Sequence, residues 1–289
     1  MIERVGVLVH PTRQVAEAVE TLEGWTAERG LELVQIPAGK QPPVAPPGEV
    51  GACDLIVGLG GDGTILKALH VSAATHTPVL GVAYGSLGAL TTVPKDELSA
   101  GLDRFAAGDW HARELPALSV RSGGGQIASA INDMVLARGR GTQLGLDVWV
   151  RGELYVRMAG DGIVIATPLG SSAYSMGAGG PLLIGADNVF LCTPLAMHGG
   201  CAPPIVVPDA GEVTVDLHPG HSGFYLDVDG FAVDTGAQRF TVTSQPAYAT
   251  LVAFDDSLTG LPRLRARELI SDSPRVTGRE RRASHAEVS

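Results

Sequence analysis

The chain has 289 residues, a formal net charge of −10 and 45% hydrophobic residues. This length suits two domains or one large one, and the apolar content is enough for a sizeable core. The negative charge argues against broad binding of nucleic acid, and because no run approaches the roughly eighteen unbroken apolar residues of a membrane helix, we predict no membrane span. Met1–Arg4 lacks the order of a signal peptide, and the three cysteines form no CxxC pair, so we expect reduced thiols in a cytoplasmic protein.

The first part of the chain alternates between strand and helix patterns. Strands are predicted at 4–9, 31–36, 54–59 and 78–83, and helices at 15–29, 63–74 and 95–107, with a proline-rich loop over 37–50. Because βαβ alternation is typical of a parallel sheet, we predict an α/β domain over residues 1–110.

From about residue 112, short β-rich runs replace this alternation. They lie at 115–121, 127–137, 144–150, 154–158, 162–166, 189–193, 212–218, 224–228, 238–244 and 248–253. They predict a separate β-rich, largely antiparallel and sandwich-like domain over residues 111–255. After Leu261 the chain carries seven arginines, so residues 256–289 are predicted to form a partly disordered polar tail.

Residues 60–64 read Gly-Gly-Asp-Gly-Thr, between a predicted buried strand and a predicted helix. Glycines let phosphate approach the main chain, and the free N–H groups of a helix start face an anion. Asp62 is unusual there, because a carboxylate is repelled by bound phosphate unless it accepts a proton or binds magnesium. The motif predicts a phosphate turn of Gly61, Gly63 and Thr64 around Asp62, although a purely structural turn would also use these residues.

Lys67 lies one turn into the same predicted helix. It is a candidate for neutralising a transferring phosphate, and a solvated helix lysine is the alternative. The chain has no GxxxxGK[ST] sequence, so this turn is not an ordinary P-loop.

Three further segments carry polar residues in apolar surroundings. Asn132-Asp133 interrupts the apolar run 128–137, where buried polar groups need either a ligand hydroxyl or a side-chain network as partner. Asp161-Gly162 precedes a strand that ends in Thr-Pro-Leu-Gly-Ser-Ser-Ala-Tyr at 167–174, which predicts either a second helix-start binding site or a structural cap. His198 is a lone histidine, a kind of residue that is commonly structural.

Together these segments resemble the NAD kinase family, within the superfamily it shares with diacylglycerol and sphingosine kinases. Residues 60–64 match the shared GGDGT, Asn132-Asp133 stands where NAD kinases carry Asn-Glu, and DGIVIATPLGSSAY at 161–174 is similar to their DG…TPTGSTAY. Thr193-Pro194…His198 and Asp229-Gly230 match later family stretches. The ordered similarity runs from about residue 4 to residue 250.

The resemblance implies ATP-dependent phosphorylation of a ribose hydroxyl, the 2′-hydroxyl of NAD, to give NADP. It implies ATP and Mg²⁺ at the phosphate turn and Asp62 as the catalytic proton acceptor, with no metal ligand assigned among the side chains. It also implies a homodimer or homotetramer, because the family binds substrate across a subunit interface; neither nucleic acid nor membrane is an expected partner. The implied nucleotide-binding residues are Gly61, Gly63, Thr64, Lys67, Asn132, Asp133, Asp161, Thr167, Ser172, Ala173, Tyr174 and His198.

Five residues depart from the family pattern. Ala83 replaces an asparagine, Ala89 an aromatic residue, Asp133 a glutamate, Leu169 a threonine and Gly177 a serine. These changes predict a remodelled or enlarged pocket, so a kinase of the same fold that acts on another nucleotide or nucleoside is the alternative. A lipid kinase conflicts with the GSSAY segment, and a non-catalytic nucleotide sensor conflicts with the intact Asp62.

Overall fold

The structure, a computed structural model, describes residues 2–85, 87–141, 143–186, 188–218, 223–255 and 260–276. In these ranges the α-helices are α1 (Ala16–Glu28), α2 (Asp62–Ser72), α3 (Leu98–Ala106), α4 (Tyr174–Gly177) and α5 (Gly260–Ala266). The strands are β1 (Arg4–Val9), β2 (Glu32–Gln35), β3 (Leu55–Gly60), β4 (Val79–Ala83), β5 (Val93–Pro94), β6 (His111–Ser122), β7 (Gly125–Ala130), β8 (Asp133–Arg138), β9 (Leu144–Val150), β10 (Glu153–Gly160), β11 (Gly162–Ala166), β12 (Val189–Leu195), β13 (Ile205–Pro208), β14 (Glu212–His218), β15 (Phe224–Val228), β16 (Phe231–Ala232) and β17 (Arg239–Ala253).

The N-terminal part is the predicted α/β unit. Its first four strands pair in parallel in the order β2-β1-β3-β4. Successive residues of β1 point to opposite faces, so Val7 packs in one apolar cluster with α1 and α3, whereas Leu8 packs in another with α2. The predicted parallel sheet is therefore confirmed, with helices on both faces.

The C-terminal part is an antiparallel β-sandwich, as predicted. A six-stranded sheet in the order β13-β12-β11-β8-β15-β16 supplies Leu136 and Ile163 to a shared apolar core. The facing strands belong to an eleven-stranded sheet and contribute Val148, Val215 and Phe240.

The long strand β17 joins the two parts. It pairs in parallel with β4 at Leu251 and Val79, and in antiparallel fashion with β6 and β14. The parallel strands and half of the sandwich therefore form one continuous sheet in the order β10-β9-β14-β17-β4-β3-β1-β2, with β5 added beside β4 and the β6–β7 hairpin beside β17. The boundaries at residues 110 and 255 stay predictions.

Two strand predictions are wrong in an instructive way. The run 127–137, predicted as one strand, is β7 and β8, which lie in different sheets with a turn at Ile131 and Asn132 between them. The strand is interrupted there because the Asp229 carboxylate accepts backbone N–H groups of this turn. In a continuous strand these N–H groups would have donated to the neighbouring strand. Conversely, 238–244 and 248–253 are one strand, β17, with an irregular register between Gln245 and Ala249.

Part of the predicted tail has regular structure, since α5 lies within it; of the tail, residues 256–259 and 277–289 are outside the described ranges. Among the described residues, no helix combines the length and the apolar character that crossing a bilayer requires.

Candidate active site

The glycine-rich turn connects β3 directly to α2. Gly61 is the N-cap of α2, and the N–H of Thr64 donates to its carbonyl oxygen at 2.9 Å. A Cβ on Gly60 would lie 2.3 Å from the Thr64 hydroxyl oxygen, so only glycine lets the helix start so close to the strand. The predicted phosphate turn therefore lies at the carboxyl end of a central parallel strand, where open α/β sheets bind their ligands.

Asp62, the first residue of α2, points toward the turn that follows β4. Its carboxylate oxygens accept the N–H of Ala89 at 2.8 Å and the N–H of Leu90 at 2.9 Å. Gly88 makes this approach possible, because a Cβ there would lie 2.0 Å from Asp62 Oδ1. The carboxylate is thus fixed in one orientation while its remaining lone pairs stay available to a ligand.

A cleft of about 350 Å³ opens on one side of Asp62. Its walls include Asp62, Gly61, Gly63, Thr64 and Lys67, all predicted from the sequence, together with residues that we did not predict, among them His10, Arg13, Lys40 and Phe231. Burial, and then the positive charges of Arg13 and Lys67, lower the pKa of His10 below its ordinary value. Three basic side chains therefore surround the glycine turn and make it suitable for a polyanion.

The signal that could have identified Arg13 is its position just after β1. The carboxyl ends of neighbouring parallel strands meet at one edge of a sheet, so the loops after β1 and β3 are brought together. Lys40 lies in the loop after β2, the next strand outward.

Asn132 and Asp133 lie at the crossing between the two sheets, and the buried carboxylate of Asp229 organises them. It accepts the N–H groups of Ile131 at 2.7 Å, Asn132 at 2.7 Å and Asp133 at 3.1 Å. Its Oδ2 also lies 2.7 Å from His70 Nε2. Asp229, which the sequence analysis matched only to a family Asp-Gly, thus acts as the structural support of the 131–133 turn.

Asp133 is almost completely buried, with 7% of its surface exposed. Burial, followed by repulsion from Asp229, raises the pKa of Asp133 to about 6, against a smaller lowering by the N–H of Tyr174. A carboxyl group with this pKa changes its charge close to neutral pH, which is common at functional sites.

The segment 167–174 packs against the same turn. The Thr167 hydroxyl donates to the Ile131 carbonyl at 2.6 Å, and the Thr167 N–H donates to the Asn132 carbonyl at 2.9 Å. Ser172 donates its hydroxyl to Leu169, and Tyr174 is exposed. The structure therefore brings together the predicted residues Asn132, Asp133, Thr167, Ser172, Ala173 and Tyr174.

A second cavity, of about 160 Å³, lies between this segment and the turn that binds Asp62. Leu169 and Ser172 line it on one side, and Ala89 with Arg263 and Arg267 of the C-terminal segment on the other. Because Ala89 donates its N–H to Asp62, the carboxylate lies between the basic cleft and this second cavity.

Asp161 and His198 lie apart from this group. Asp161 precedes β11 and Thr167 follows it, so roughly 20 Å of strand separates them. Asp161 forms an ion pair with Arg138 at 2.5 Å, and the N–H of His198 donates to the Ala159 carbonyl at 2.8 Å. Within one chain, the structure therefore does not bring these two predicted residues to the glycine turn.

Comparison with known proteins places this geometry in a family. The model described as the ATP-NAD kinase N-terminal domain matches residues 43–110, and the model of the ATP-NAD kinase C-terminal domain matches residues 131–250. The NAD kinase of Chlorobaculum tepidum is 31% identical over 260 residues, which cover 86% of this chain and 91% of that protein. The chain belongs to the NAD kinase family. The family resemblance noted in the sequence is thereby confirmed.

Other NAD kinases and solved structures agree with this assignment. The NAD kinase of Chlorobium limicola is 38% identical over 215 residues, which cover 72% of this chain and 71% of that protein. The fold matches yeast NADH kinase complexed with NADH, with a TM-score of 0.75, 22% identity and coverage of 92% of this chain and 86% of that one. It also matches an NAD kinase from Archaeoglobus fulgidus in complex with ATP, with a TM-score of 0.70, 23% identity and coverage of 91% and 96%.

The two alanines that depart from the NAD kinase pattern have different surroundings. Ala83 is buried at the end of β4, whereas Ala89 lines the second cavity. Of the two alanines, Ala89 is therefore the one that can alter the shape of a ligand site directly, and Leu169, another departure, lines the same cavity.

Gly88→Ala is expected to lower kcat by about 10- to 100-fold, because the added Cβ displaces the Asp62 carboxylate and a misplacement of about 1 Å can cost this much. The measurement is steady-state kinetics together with the melting temperature. Gly24→Ala in α1 is the matched control, since a Cβ there has no neighbour within 4 Å. Unchanged kcat in a folded Gly88→Ala enzyme would show that the position of Asp62 does not limit the rate.

Proposed function

We propose that this protein transfers the γ-phosphoryl group of ATP to the 2′-hydroxyl of NAD, giving NADP and ADP. The observation that supports the proposal most strongly is the position of Asp62, between a basic cleft and a cavity lined by the 167–174 segment. Phosphoryl transfer asks a protein mainly to align reactants and neutralise charge, and this arrangement offers both.

In the proposal, the donor triphosphate binds in the basic cleft. The free N–H groups at the start of α2 face the phosphates, and Arg13, Lys40 and Lys67 neutralise them. Lys67 also lies 5.4 Å from the ring centroid of Phe231, which keeps its amino group at the cleft wall.

Mg²⁺ fits this cleft as a companion of ATP. Among the described residues, no group of three or more His, Cys, Asp or Glu side chains could bind a metal ion. Mg²⁺ is usually bound through one or two carboxylates together with substrate phosphates, and Asp62 is the carboxylate of the cleft lining. When bound, Mg²⁺ would neutralise charge on the β- and γ-phosphates.

The acceptor binds against the 131–133 turn and the 167–174 segment. Asn132 and the ionised Asp133 offer acceptors and donors to ribose hydroxyls, and Ser172, Ala173 and Tyr174 form the adjoining wall. Thr167 supports this wall and does not contact the acceptor in the proposal, because its hydroxyl donates to the Ile131 carbonyl.

The reaction then needs one proton acceptor. The 2′-oxygen attacks the γ-phosphorus, the bond to the bridging oxygen breaks, and ADP leaves with that electron pair. Asp62 accepts the hydroxyl proton through a lone pair that its two N–H bonds leave available.

Asp161 and His198 enter the proposal through a second copy of the chain. Both are exposed or partly exposed at the far end of β11. A homodimer or homotetramer in which this end faces the 167–174 segment of another subunit would place them beside the dinucleotide.

The proposed location of the protein is the cytoplasm, as expected from the cysteine pattern.

The test compares acceptors side by side. Purified protein with ATP and Mg²⁺ is given NAD, NADH or an adenosine nucleotide in turn. ADP formation is measured by chromatography for every acceptor, and NADP formation from NAD is also read with an NADP-specific dehydrogenase. We expect efficient phosphorylation of NAD. Phosphorylation of another acceptor with no reaction on NAD would favour the alternative that Ala89, in the wall of the second cavity, supports.

Asp133 gives a pH prediction with a definite sign. Its pKa is raised to about 6 in the folded protein, so the KM for NAD should increase as the pH falls through 6 and the carboxylate is lost. Because an ordinary aspartate has a pKa of 3.8, the stability falls as the pH rises from about 4 to about 6 and stays lower above that range. Asp133→Asn should therefore be roughly 1–3 kcal/mol more stable than the unmodified protein at pH 8.

The measurements are a KM profile between pH 5 and 8 and denaturant unfolding at pH 8. Asp234→Asn, which removes an exposed carboxylate, is the control for net charge. If Asp133→Asn is less stable at pH 8 and leaves the KM unchanged, the assigned role of Asp133 is wrong.

A further inference from the structure

The C-terminal helix α5 reaches the turn that fixes Asp62. Arg263 lies in this helix with only 9% of its surface exposed. Its Nε and Nη2 atoms donate to the carbonyl oxygen of Gly88 at 2.9 Å and 2.6 Å, and Nη2 also donates to the carbonyl of Thr91. The fork of the guanidinium therefore binds both ends of the 88–91 turn.

The carbonyl that Arg263 binds belongs to the same peptide group that binds Asp62. The Gly88 oxygen and the Ala89 N–H are the two ends of one planar peptide unit. Arg263 binds its oxygen, and the Asp62 carboxylate accepts its hydrogen at 2.8 Å. The positive guanidinium at the oxygen and the negative carboxylate at the N–H polarise the peptide in the same direction. If the peptide plane rotated, the hydrogen bonds to Arg263 and to Asp62 would both be lost.

Arg267 approaches the carboxylate itself. It follows α5 directly, and its N–H donates to the Arg263 carbonyl at 3.0 Å, so the two side chains lie on the same side of this segment. Its Nη2 lies 3.8 Å from Asp62 Oδ2, and 19% of its side chain is exposed. Asp62 thus contacts the C-terminal segment twice, once through the peptide and once directly.

The burial of Arg263 argues for a role beyond packing. Burial of a guanidinium is costly unless its donors are satisfied, and an apolar residue of similar volume would pack at lower cost. Burial lowers the pKa of Arg263 to about 10, and the side chain is still a cation at neutral pH.

We propose that α5 and the turn that follows it form a positioning element of the active centre. In this element Arg263 orients the 88–89 peptide so that Asp62 is kept ready to accept the proton, and Arg267 balances the charge of Asp62. This inference rests on the proposed function for the role of Asp62. Arg263 and Arg267 are positioning residues and take no proton themselves.

The experiment pairs Arg263→Gln with a control on the same helix, Arg265→Gln. Arg265 is half-exposed and forms an ion pair with Asp272, so its loss should change little. Arg263→Gln is expected to lower kcat for NAD roughly 10- to 100-fold with little change in KM, the pattern of a misplaced catalytic group. Combined with Asp62→Asn, it should lower kcat by less than about 2-fold more, because the two residues act as a unit.

A second readout does not depend on activity. Hydrogen exchange at the Ala89 and Leu90 amides should be faster in Arg263→Gln than in Arg265→Gln. If Arg263→Gln fails to fold, Arg263→Lys replaces it, since a lysine keeps the charge but loses the fork, and intermediate effects on kcat and exchange are expected.

Three results would overturn the inference. The first is unchanged hydrogen exchange at the Ala89 and Leu90 amides, and the second is an unchanged kcat in the folded Arg263 variant. The third is a loss of kcat from Arg263→Gln that is as large in the Asp62→Asn protein as in the protein that retains Asp62. If the unmodified protein does not phosphorylate NAD, the proposed function fails, whereas the exchange experiment still decides whether Arg263 orients the peptide.

Discussion

Asp62→Asn is expected to lower kcat by about 10²–10⁴-fold, the usual contribution of a general base, while the protein stays folded and binds ATP. An asparagine side chain cannot accept the proton of the ribose hydroxyl. Its amide also has one acceptor oxygen where the carboxylate has two, so it cannot accept the N–H groups of Ala89 and Leu90 in the same way. The measurements are kcat from a coupled assay, the melting temperature and calorimetric titration with a non-hydrolysable ATP analogue.

The sheet provides a matched control at its opposite end. The carboxylate of Asp54, just before β3, accepts the N–H groups of Glu3 at 2.7 Å and Arg4 at 3.0 Å. Both N–H groups are accepted by the same oxygen, Oδ2, so the amide oxygen of Asp54→Asn can still accept them. This change removes a carboxylate charge without touching the cleft, so it should lose little stability and keep its kcat. If Asp62→Asn keeps a near-normal kcat on NAD, or loses activity only in proportion to its unfolding, Asp62 is not the proton acceptor.

Removal of Mg²⁺ by excess chelator is expected to abolish turnover with ATP and to leave the fold intact. The fold should stay intact because the described residues contain no group of side chains that could hold a structural metal ion. Turnover should be lost because the cleft lining offers one carboxylate, that of Asp62, beside basic groups for the phosphates of Mg²⁺-bound ATP. Added Mg²⁺ should restore the activity in full, because nothing in the folded protein needs to be rebuilt.

The measurement follows NADP formation and the melting temperature in the same sample, before chelation, after it and after Mg²⁺ is returned. Sustained turnover with ATP in excess chelator would rule out the Mg²⁺-assisted reaction. A fall in the melting temperature on chelation, without nucleotide present, would instead show a structural metal.

The local structure of the candidate site was predictable where its residues are close in the chain. The Gly60–Thr64 turn forms at the end of a strand through contacts within a few residues, such as the one between Gly60 and Thr64. Its sequence alone therefore indicates both the turn and the place of Asp62. The segment 167–174 is similar, since it follows β11 directly and the hydroxyl groups of Ser171 and Ser172 bond to carbonyls three residues earlier.

Other parts of the site depend on contacts between distant residues. Asp229 interrupts the predicted strand 127–137, although it lies almost a hundred residues later in the chain. Its carboxylate accepts N–H groups that the local sequence predicts to be hydrogen-bonded in a sheet. Arg13 and Lys40 reach the cleft only because β1, β2 and β3 are neighbours. An arginine in a polar tail carries no local sign of burial, so Arg263 was not found either.

The sequence by itself determined the α/β and β-rich halves, the position of the glycine-rich turn and the family, because hydrophobic periodicity, glycine turns and ordered motifs are local properties of the chain. Only the tertiary structure decided that β17 unites both halves in one sheet, that Asp229 shapes the 131–133 turn, and that Arg263 and Asp62 bind opposite ends of one peptide group. The physical reason is that hydrogen bonds and charge compensation between buried groups depend on which distant segments meet, and burial makes those partners obligatory.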